Sequence, residues 1–325
     1  MTDAKLSTEV YKSANGAWHQ YLRDLSPLRP ALYRYCRALT GNTWDADDLV
    51  QEALMRGFAT LGVGQDEIKD PRAYLLRIAA NAWIDWQRRK AVEATAVAEM
   101  TTDAASQPAE AGHAHALSVR EAGAVLMREL APQERAAVVL KDAFDLTIEE
   151  TARILGSSMG AIKAALHRGR SRLQAAPSTR AKQRPTPSPS LLDRFVQLYN
   201  ARDMAGLIAL MLENGSIQMM GVELESGREY FERKDHGWFA HNFMFMPPAT
   251  RWERRDFESE DIVLVIAPIA GQDALLSVMR FEGTDGYISR IRSYAFSPET
   301  VAEIADIFGL RHGFRLYTFL DLPIR

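Results

Sequence analysis

Two stretches that are nearly free of large apolar side chains divide this chain of 325 residues. From about residue 91 to residue 118 the sequence is rich in Ala, Thr, Glu and Gln, and residues 176–190 are rich in proline and basic residues. Neither stretch can bury enough apolar surface to fold by itself, so we interpret both as linkers. A chain of this length also exceeds what one hydrophobic core usually organises. The sequence therefore predicts several domains joined by two linkers.

The block before the first linker has the apolar spacing of α-helices. Asp70 and Pro71 predict the start of one helix, with the aspartate as N-cap and the proline at the first helical position. Cys36 is the sole cysteine and lies on an apolar stripe, so we expect a buried core residue and neither a disulfide nor a cysteine-rich zinc site. Apolar residues recur at intervals of three and four along two stripes, Ala31, Leu32, Tyr35 and Leu39, and Val50, Ala53, Leu54 and Phe58.

The block between the two linkers contains the pattern of a helix-turn-helix. Thr147 and Glu150 are spaced as a capping box, in which each side chain satisfies the backbone N–H of the other residue, so a helix is predicted to begin there. Gly156 is placed to end that helix as a left-handed cap. A further helix then turns Ile162 and Leu166 inward. Helix, glycine turn and helix is the layout of many DNA-binding domains.

Basic residues are concentrated after this turn. The net charge of −3 gives no support for nucleic-acid binding, but residues 163–184 carry seven cations and no acid. Such a helix face suits the major groove of DNA, where small residues permit close approach and cations contact phosphates or guanine edges. The alternative is a solvated basic face that binds nothing. The face consists of Lys163, His167 and Arg170, with Ser158, Ala161, Ala164 and Arg168 beside them.

A second candidate surface lies at the end of the helix that begins at Asp70 and Pro71. Aromatic rings beside cations and amides can stack unpaired bases and follow the strand backbone, so we interpret this end as a single-strand reader. Trp83 has an alternative interpretation as a core residue. The side chains of these last turns are Asn81, Trp83, Asp85, Trp86, Gln87, Arg88 and Arg89.

The block after residue 190 changes from helical to strand-like patterns. One helix is predicted around Phe195 and Tyr199, and Asp203 is placed as the N-cap of a second. Helices followed by a run of strands indicate an α+β domain. Strand-like stretches lie at residues 217–222, 262–267, 275–281 and 287–295, with a late helix over residues 298–308.

Four motifs in the first two blocks carry a resemblance to a known family. They are Asp-Ala-Asp-Asp-Leu-Val-Gln-Glu-Ala-Leu (45–54), Arg-Ile-Ala-Ala-Asn-Ala-Trp-Ile-Asp-Trp-Gln-Arg-Arg (77–89), Leu-Ala-Pro-Gln-Glu-Arg (130–135) and Ala-Ile-Lys-Ala-Ala-Leu-His-Arg-Gly-Arg-Ser-Arg-Leu (161–173). In this order they resemble regions 2 and 4 of extracytoplasmic-function (ECF) sigma factors of the sigma-70 family. The resemblance implies two partners, promoter DNA and core RNA polymerase, the latter through its β′ clamp coiled coil and β flap.

The same resemblance assigns residues to these partners. The acidic helix would dock on the clamp coiled coil through Asp45, Asp48, Leu49, Gln51 and Glu52. The minus-ten promoter element would be read by Asp85, Trp86, Arg88 and Arg89. The minus-thirty-five element would be read by the helix from Ser158 to Arg170.

Residues 190–325 resemble SnoaL-like domains with the ketosteroid-isomerase cone fold, chiefly through Arg-Phe-Val-Gln-Leu-Tyr-Asn-Ala-Arg-Asp (194–203). The resemblance places Phe195 at the oxyanion-donating tyrosine, Met219 at the general-base aspartate and Ser277 near the neutral acid. Proton abstraction beside a carbonyl needs a base and an oxyanion donor, and Phe and Met provide neither. We therefore expect no catalysis, no cofactor and no metal, but a pocket able to bind a small apolar ligand. The remaining candidates lie on a polar segment whose alternative interpretation is solvated surface: Asp235, His236 and His241.

The sequence thus predicts a multidomain protein, with two all-α sigma domains (a region 2 helical bundle and a region 4 helix-turn-helix) followed by an α+β SnoaL-like cone domain. Its expected function is promoter recognition and transcription initiation with core polymerase, modulated by the C-terminal domain. The alternatives are a stand-alone helix-turn-helix regulator that senses a small molecule, and an enzyme with a DNA-binding targeting module. No export signal or membrane-length apolar run is evident, so a cytoplasmic location without membrane contact is expected. The expected boundaries are a tail at 1–24, region 2 at 25–92, a linker at 93–118, region 4 at 119–175, a proline-rich linker at 176–189 and the SnoaL-like domain at 190–325.

Overall fold

The computed structural model divides the chain into two compact units, residues 1–180 and residues 181–325. The first unit is helical wherever it is described, and the second combines helices with a mixed sheet. This is the predicted order of all-α followed by α+β. A proline-rich linker was predicted at 176–189. Its residues 176–186 lie outside the described residues. The structure describes residues 8–61, 68–100, 130–175, 187–220, 223–226, 246–247, 249–284 and 286–313.

Four helices build the first half of the first unit: α1 (Thr8–Leu25), α2 (Arg29–Thr40), α3 (Thr43–Leu61) and α4 (Pro71–Met100). The two predicted apolar stripes form their core, because Leu39 of α2 and Leu54 of α3 are fully buried along with most of their stripe neighbours. Each such side chain contributes about 1.5–3 kcal/mol when removed from water. Asp70 caps α4 as predicted, since its carboxylate accepts a hydrogen bond from the backbone N–H of Ala73 at 2.9 Å.

The N-terminal segment is not a tail throughout, because α1 already begins at Thr8. The ring centroid of Phe58 on α3 lies 5.1 Å from that of Trp18 and 5.4 Å from that of Tyr21. These aromatic contacts, together with the buried Leu22, attach α1 to the bundle. Polar residues separate the aromatic ones along α1, so the shared face becomes evident only through the contact with Phe58.

Helix α4 also extends beyond its predicted end. It continues to Met100 and so enters the segment predicted as a linker at residues 93–118. The sequence Ala-Val-Glu-Ala-Thr-Ala-Val-Ala-Glu-Met is rich in good helix formers, and a helix that has already nucleated continues at little cost. Low apolar content therefore did not prevent helix formation here. The remaining linker residues, 101–118, lie outside the described residues.

The second half of the first unit is a helix-turn-helix, as predicted. Thr147 Oγ1 accepts a hydrogen bond from the N–H of Glu150 at 3.1 Å, and the Glu150 carboxylate accepts one from the N–H of Thr147 at 2.7 Å. Gly156 adopts the left-handed conformation expected of it, with φ +58°. The elements are α5 (Pro132–Val138), a π-helical turn (Val139–Ala143), α6 (Ile148–Ile154) and α7 (Met159–Ala175).

Gly169 allows α7 to approach α5 closely. A Cβ atom at this position would lie 3.0 Å from Cγ2 of Val138 and 3.5 Å from Cβ of Glu134. The first distance is shorter than the usual carbon–carbon separation of about 3.5–4.0 Å. The glycine in the basic motif therefore has a packing role between the two helices.

The helix-turn-helix packs against the four-helix bundle within the first unit. Nη1 of Arg135 on α5 donates a hydrogen bond to the carbonyl oxygen of Leu39 on α2 at 2.6 Å. The ring of Phe144 meets that of Tyr35 edge-on, with centroids 5.7 Å apart. Helix α5 and the π-helical turn thus connect the two halves.

The second unit begins with two helices, α8 (Pro189–Asn200) and α9 (Met204–Leu210). As predicted, Asp203 caps α9 by accepting a hydrogen bond from the N–H of Gly206 at 2.9 Å. The sheet has the order β2-β1-β6-β5-β4-β3; β1 is parallel to β6, β7 pairs in parallel with β5, and the other pairs are antiparallel. The strands are β1 (Met211–Met219), β2 (Glu223–Ser226), β3 (Arg251–Phe257), β4 (Glu260–Ile269), β5 (Gln272–Thr284), β6 (Tyr287–Ser293) and β7 (Arg311–His312), with α10 (Pro298–Ile307) before β7.

Strand β3 was not predicted, because its sequence is dominated by charged residues. It lies at one end of the strand order, where charged side chains protect an edge from pairing with other chains. Only Trp252 and Phe257 of this strand are buried. Arg254 forms ion pairs with Asp193 of α8 at 2.6 Å and with Asp261 of β4 at 2.7 Å. Burial of two aromatic residues and charge pairing across elements, both long-range effects, make this segment a strand.

Candidate functional site

The exposed face of α7 carries the side chains that were predicted to contact DNA. Ile162 and Leu166 point the other way, into the core of the helix-turn-helix. Ser158 has a second role, since its Oγ accepts a hydrogen bond from the N–H of Ala161 at 3.1 Å and caps the start of α7. The predicted residues Ser158, Ala161, Lys163, Ala164, His167, Arg168 and Arg170 are all exposed.

One buried carboxylate holds two arginines of α7. Glu134 of α5, with only 5% of its side chain exposed, accepts hydrogen bonds from Arg168 Nε at 2.9 Å and Arg172 Nη1 at 2.7 Å. A desolvated carboxylate is tolerated when it is paired and hydrogen-bonded in this way. The cluster therefore fixes α7 against α5. Arg168 thus has a structural role that its position on the basic face did not indicate.

Arg170 also forms an ion pair with a carboxylate, whereas the side chains of Lys163 and His167 on the same face have no such partner among the described residues. Its guanidinium contacts the Asp142 carboxylate with both Nε, at 3.1 Å, and Nη2, at 2.5 Å. The side chains of Lys163 and His167 make no hydrogen bond or ion pair with any residue in the described part of the chain. They line an open cleft together with Ile148. Among the predicted DNA contacts on α7, these two have charged or polar side-chain groups without a partner in the described part of the chain.

The end of α4 places one tryptophan in the core and one near the surface. Trp83 is buried, which confirms its alternative interpretation as a core residue. The Trp86 ring is half-buried and meets the Trp83 ring edge-on, with centroids 5.6 Å apart. Lys90 Nζ lies 3.7 Å from the Trp86 centroid and 3.9 Å from an Asp45 carboxylate oxygen. The sequence did not indicate a role for Lys90. Its contacts with Asp45 and Trp86 show that it connects the acidic helix with the proposed reader.

In the rest of the proposed reader, Asp85, Arg88 and Arg89 are exposed to solvent, whereas Gln87 is half-buried. Asp85 lies 3.7 Å from Arg88 and 3.9 Å from Arg56 of α3, measured between charged atoms. Arg89 is exposed at the same end of the helix. Cations and a half-buried ring therefore lie side by side, as stacking of an unpaired base requires.

The acidic helix α3 presents a narrower surface than the family motif implies. Leu49 is 3% exposed and Gln51 is 7% exposed, so neither belongs to the solvent-facing side of α3. Asp45 is largely covered, and Asn42 and Lys90 are among its partners. The resemblance assigned residues by motif, whereas helical geometry turns every third or fourth residue inward.

One exposed apolar residue on α3 was missed. Met55 is 57% exposed and lies three residues after Glu52 and seven after Asp48, so the three share one helix face. Glu52 is exposed and forms an ion pair with Arg56 at 2.6 Å. An acidic face with one large exposed apolar side chain is typical of a protein-binding surface. The helical spacing alone would have identified Met55.

Cys36 is a core residue, as predicted. Its side chain is fully buried, and burial raises the pKa of the Cys36 thiol well above its ordinary value. Since the thiolate is the reactive form, this cysteine is chemically inert in the folded protein. No group of metal-ligating side chains occurs among the described residues.

The second unit carries apolar residues at the two positions that the resemblance assigns to the oxyanion donor and the general base of an isomerase. Phe195 is fully buried and packs edge-on against Phe281, with centroids 4.9 Å apart. Met219 packs against the same cluster. Ser277 is buried and shares a hydrogen bond of 3.2 Å with Ser293. The other candidates, Asp235, His236 and His241, lie outside the described residues.

Comparison with known proteins identifies both helical blocks. The family model for sigma-70 region 2 matches residues 24–92, and that for sigma-70 region 4 matches residues 124–173. The chain is 33% identical over 162 residues to the RNA polymerase sigma-E factor of Streptomyces avermitilis, covering 50% of this chain and 87% of that protein. It is 31% identical over 153 residues to the ECF RNA polymerase sigma factor EcfG of Rhodopseudomonas palustris, covering 47% and 82%. The solved structure of the ECF sigma factor SigJ of Mycobacterium tuberculosis matches with 19% identity and a TM-score of 0.30, covering 84% of this chain and 96% of that one.

A region 2 bundle followed by a region 4 helix-turn-helix defines a sigma-70-type transcription initiation factor. Within that class, this chain belongs to the ECF RNA polymerase sigma factors. Its second unit, two helices followed by a mixed sheet whose first strand is parallel to its sixth, has the fold of a SnoaL-like domain. Because the chain belongs to this family, a stand-alone helix-turn-helix regulator is no longer the main interpretation. Among its described helices, none has the length and apolar character needed to cross a bilayer.

We expect Glu134→Gln to destabilise the helix-turn-helix by about 2 kcal/mol, because two arginines lose a buried charged acceptor. Asp142→Asn, which alters the more exposed pair with Arg170, is the matched control and should change stability by less than about 1 kcal/mol. Hydrogen exchange of the backbone amides in residues 130–175 of the full-length protein measures both effects. Equal protection in the two variants would contradict the anchoring role of Glu134.

Proposed function

We propose that this sigma factor reads its promoter with α7 and the end of α4 and binds core RNA polymerase through the exposed face of α3. The observation that carries the proposal is that one compact unit exposes a basic helix face, an aromatic and cationic helix end, and an acidic helix face. A stand-alone repressor needs only the first of these. We infer that the protein acts in the cytoplasm, where the polymerase is.

Recognition of the minus-thirty-five element is assigned to α7. Lys163 and His167 have available polar groups and are proposed to contact DNA directly. Ser158, Ala161 and Ala164 are small and exposed, so the start of the helix can approach the bases closely. Arg168 and Arg170 are already paired with carboxylates. We propose that each guanidinium contacts a phosphate while it keeps its carboxylate partner.

Recognition of the minus-ten element is assigned to the end of α4. Trp86 supplies an aromatic surface for an unstacked base, and Arg88 and Arg89 follow the strand backbone. Lys90 covers the Trp86 ring in the free protein. Because a base would need that surface, we propose that DNA displaces Lys90 from the ring. Asp85 is proposed to accept hydrogen bonds from base edges.

Polymerase binding is assigned to Asp48, Glu52 and Met55 on α3. The β′ clamp coiled coil, the site implied by the family, would need basic residues opposite the two carboxylates and a small apolar pocket for the methionine. Helix-turn-helix contact with the β flap is proposed on the family resemblance alone.

The second unit is proposed to regulate without catalysing. Phe195 and Met219 occupy the positions of the oxyanion donor and the base, so proton abstraction has neither component. The apolar interior suits a small apolar ligand. A domain tethered to the sigma unit acts at high effective concentration, so even a weak contact can shift the population of active conformers.

We expect Lys163→Ala to weaken promoter binding by the holoenzyme and to lower the salt dependence by roughly one unit of slope, because one fewer counterion is released. Arg23→Ala on α1 removes an exposed cation away from α7 and serves as the control. Equilibrium binding over a range of salt concentrations measures both values. An unchanged slope for Lys163→Ala would refute a direct phosphate or base contact by this residue.

We expect Glu52→Lys to weaken binding to core polymerase by at least about tenfold, since a like charge would then face a basic surface. Met55→Ser should weaken it by loss of apolar contact. Asp24→Lys on α1 changes the net charge equally and should leave binding intact. Titration of core enzyme with each labelled variant provides the affinities, and wild-type affinity of both α3 variants would exclude this face as the docking surface.

We expect the second unit to change promoter output several-fold, which corresponds to a coupling of ~1–3 kcal/mol. The measurement is in vitro transcription by the full-length protein and by a truncated chain that ends at Ala176, at matched polymerase occupancy. Isomerase assays on keto-steroid-like substrates should show no turnover. Equal transcription by both chains, with and without small apolar ligands, would argue against regulation.

A further inference from the structure

The first residue of α7 is a large apolar side chain that the fold leaves in contact with solvent. Met159 is 48% exposed and does not belong to the apolar core of the helix-turn-helix. Lys163 follows it by four residues and His167 by eight, so the three side chains form one row along the helix. Met159 therefore extends the face that was predicted to contact DNA, and it adds an apolar group to a row of polar ones.

Gly160, the next residue, is also exposed and has no packing role inside the chain. Among the described residues, the nearest atom that a Cβ here would meet outside the adjoining backbone is Ser158 Oγ, at 3.9 Å. Gly169 on the same helix differs, because a Cβ there would lie 3.0 Å from Val138. Glycine within a helix is less favourable than alanine, so Gly160 weakens α7 without improving its packing. Its position leaves room for another molecule to approach the start of α7.

The molecule that meets this face is DNA, because residues 124–173 match sigma-70 region 4. A recognition helix lies in the major groove with its first residues nearest the base edges. Of the groups that bases present there, the C5-methyl group of thymine is the apolar one. A thioether side chain can bury a methyl group, whereas it is only a weak hydrogen-bond acceptor. An exposed methionine at the start of α7 thus suits thymine better than the other bases.

We propose that Met159 reads one thymine of the minus-thirty-five element through its methyl group, and that Gly160 lets the start of α7 come close enough for this contact. The inference rests on the proposed function, because α7 must lie in the major groove of that element. Lys163, one turn further along the same row, fixes the register by contacting a phosphate or a guanine edge. Met159 is therefore a specificity-determining residue, while the cations of α7 supply affinity.

The test compares thymine with deoxyuridine, which lacks only the methyl group. The holoenzyme with the full-length protein first selects its preferred minus-thirty-five element from randomised promoter duplexes. Each thymine of the selected element is then replaced in turn, and equilibrium binding of the holoenzyme is measured. Met159→Ser removes the apolar side chain and Met159→Leu retains one. Ile307→Ser, which removes a similarly exposed apolar residue (54%) from α10, is the control.

We expect one thymine at which loss of the methyl group weakens wild-type binding by roughly fourfold, the effect of exposing one buried methyl group. Met159→Leu and Ile307→Ser should keep this difference, and Met159→Ser should bind both duplexes equally. A selected element without such a thymine, or the same difference in Met159→Ser, would overturn the inference. Loss of core polymerase affinity in Met159→Ser, with the two bases still distinguished, would also overturn it, because Met159 would then contact protein.

Gly160→Ala tests the close approach separately. The variant should increase the hydrogen-exchange protection of α7, because alanine favours the helix, and should weaken binding to the selected element, because its methyl group would lie between helix and DNA. Gly16→Ala on α1 is the control, since a Cβ at this exposed position meets no described residue within 4 Å outside its own helix. It should stabilise α1 and leave DNA binding unchanged. Unchanged DNA binding by Gly160→Ala, or lower protection of α7, would contradict the approach on which the Met159 contact depends.

Failure of the proposed function has a different outcome. A holoenzyme that binds promoter duplexes without preferring any minus-thirty-five sequence would contradict the assignment of α7, and the inference about Met159 with it. A holoenzyme that selects an element but responds to no thymine methyl group would overturn the reading by Met159 and leave the proposed function intact.

Discussion

The buried carboxylate of Glu134 is the interaction on which the helix-turn-helix depends. It fixes two arginines of α7, and Gly169 brings the same helix close enough for those contacts to form. The next residue, Arg135, contacts α2 instead of α7 and anchors the block to region 2. Adjacent residues of opposite charge therefore determine two interfaces. A buried charge is costly without a partner. The contacts of Glu134 with α7 and of Arg135 with α2 therefore fix the position of α5.

Charge pairing also explains how an acidic protein can bind DNA. The net charge of −3 provides no general attraction. On α7, however, Arg168, Arg170 and Arg172 are held by carboxylates on one side while the helix face stays exposed on the other. The carboxylates weaken the positive electrostatic field of these arginines. They also restrict the arginine rotamers in the free protein, which would reduce the side-chain entropy lost on DNA binding. The Lys163 side chain has no carboxylate partner among the described residues, so we propose that it supplies affinity while the paired arginines supply orientation.

Local signals in the sequence predicted local structure well. The capping box at Thr147 and the glycine turn at Gly156 depend on neighbours within a few residues, and both are present. The role of Arg168 depends on a partner 34 residues away, so no local pattern could indicate it. Strand β3 was missed for the same reason, because its burial comes from α8 and β4. The motif likewise could not show that Leu49 faces inward, since a family match assigns positions and not exposure.

The second unit resembles an isomerase fold but holds apolar residues at two positions where the resemblance places polar groups. Isomerase chemistry needs a carboxylate whose charge is tolerated in an apolar interior, and such a group is expensive to bury. The resemblance places Met219 at this carboxylate and Phe195 at the oxyanion-donating tyrosine, and both side chains add to packing. The hydroxyls of Ser277 and Ser293 form a hydrogen bond with each other, so neither needs a hydrogen bond from a ligand. An interior of this kind gains stability from burial, and the side chains of Phe195 and Met219 offer no proton acceptor at these two positions. We therefore propose regulation by binding as the function of this domain.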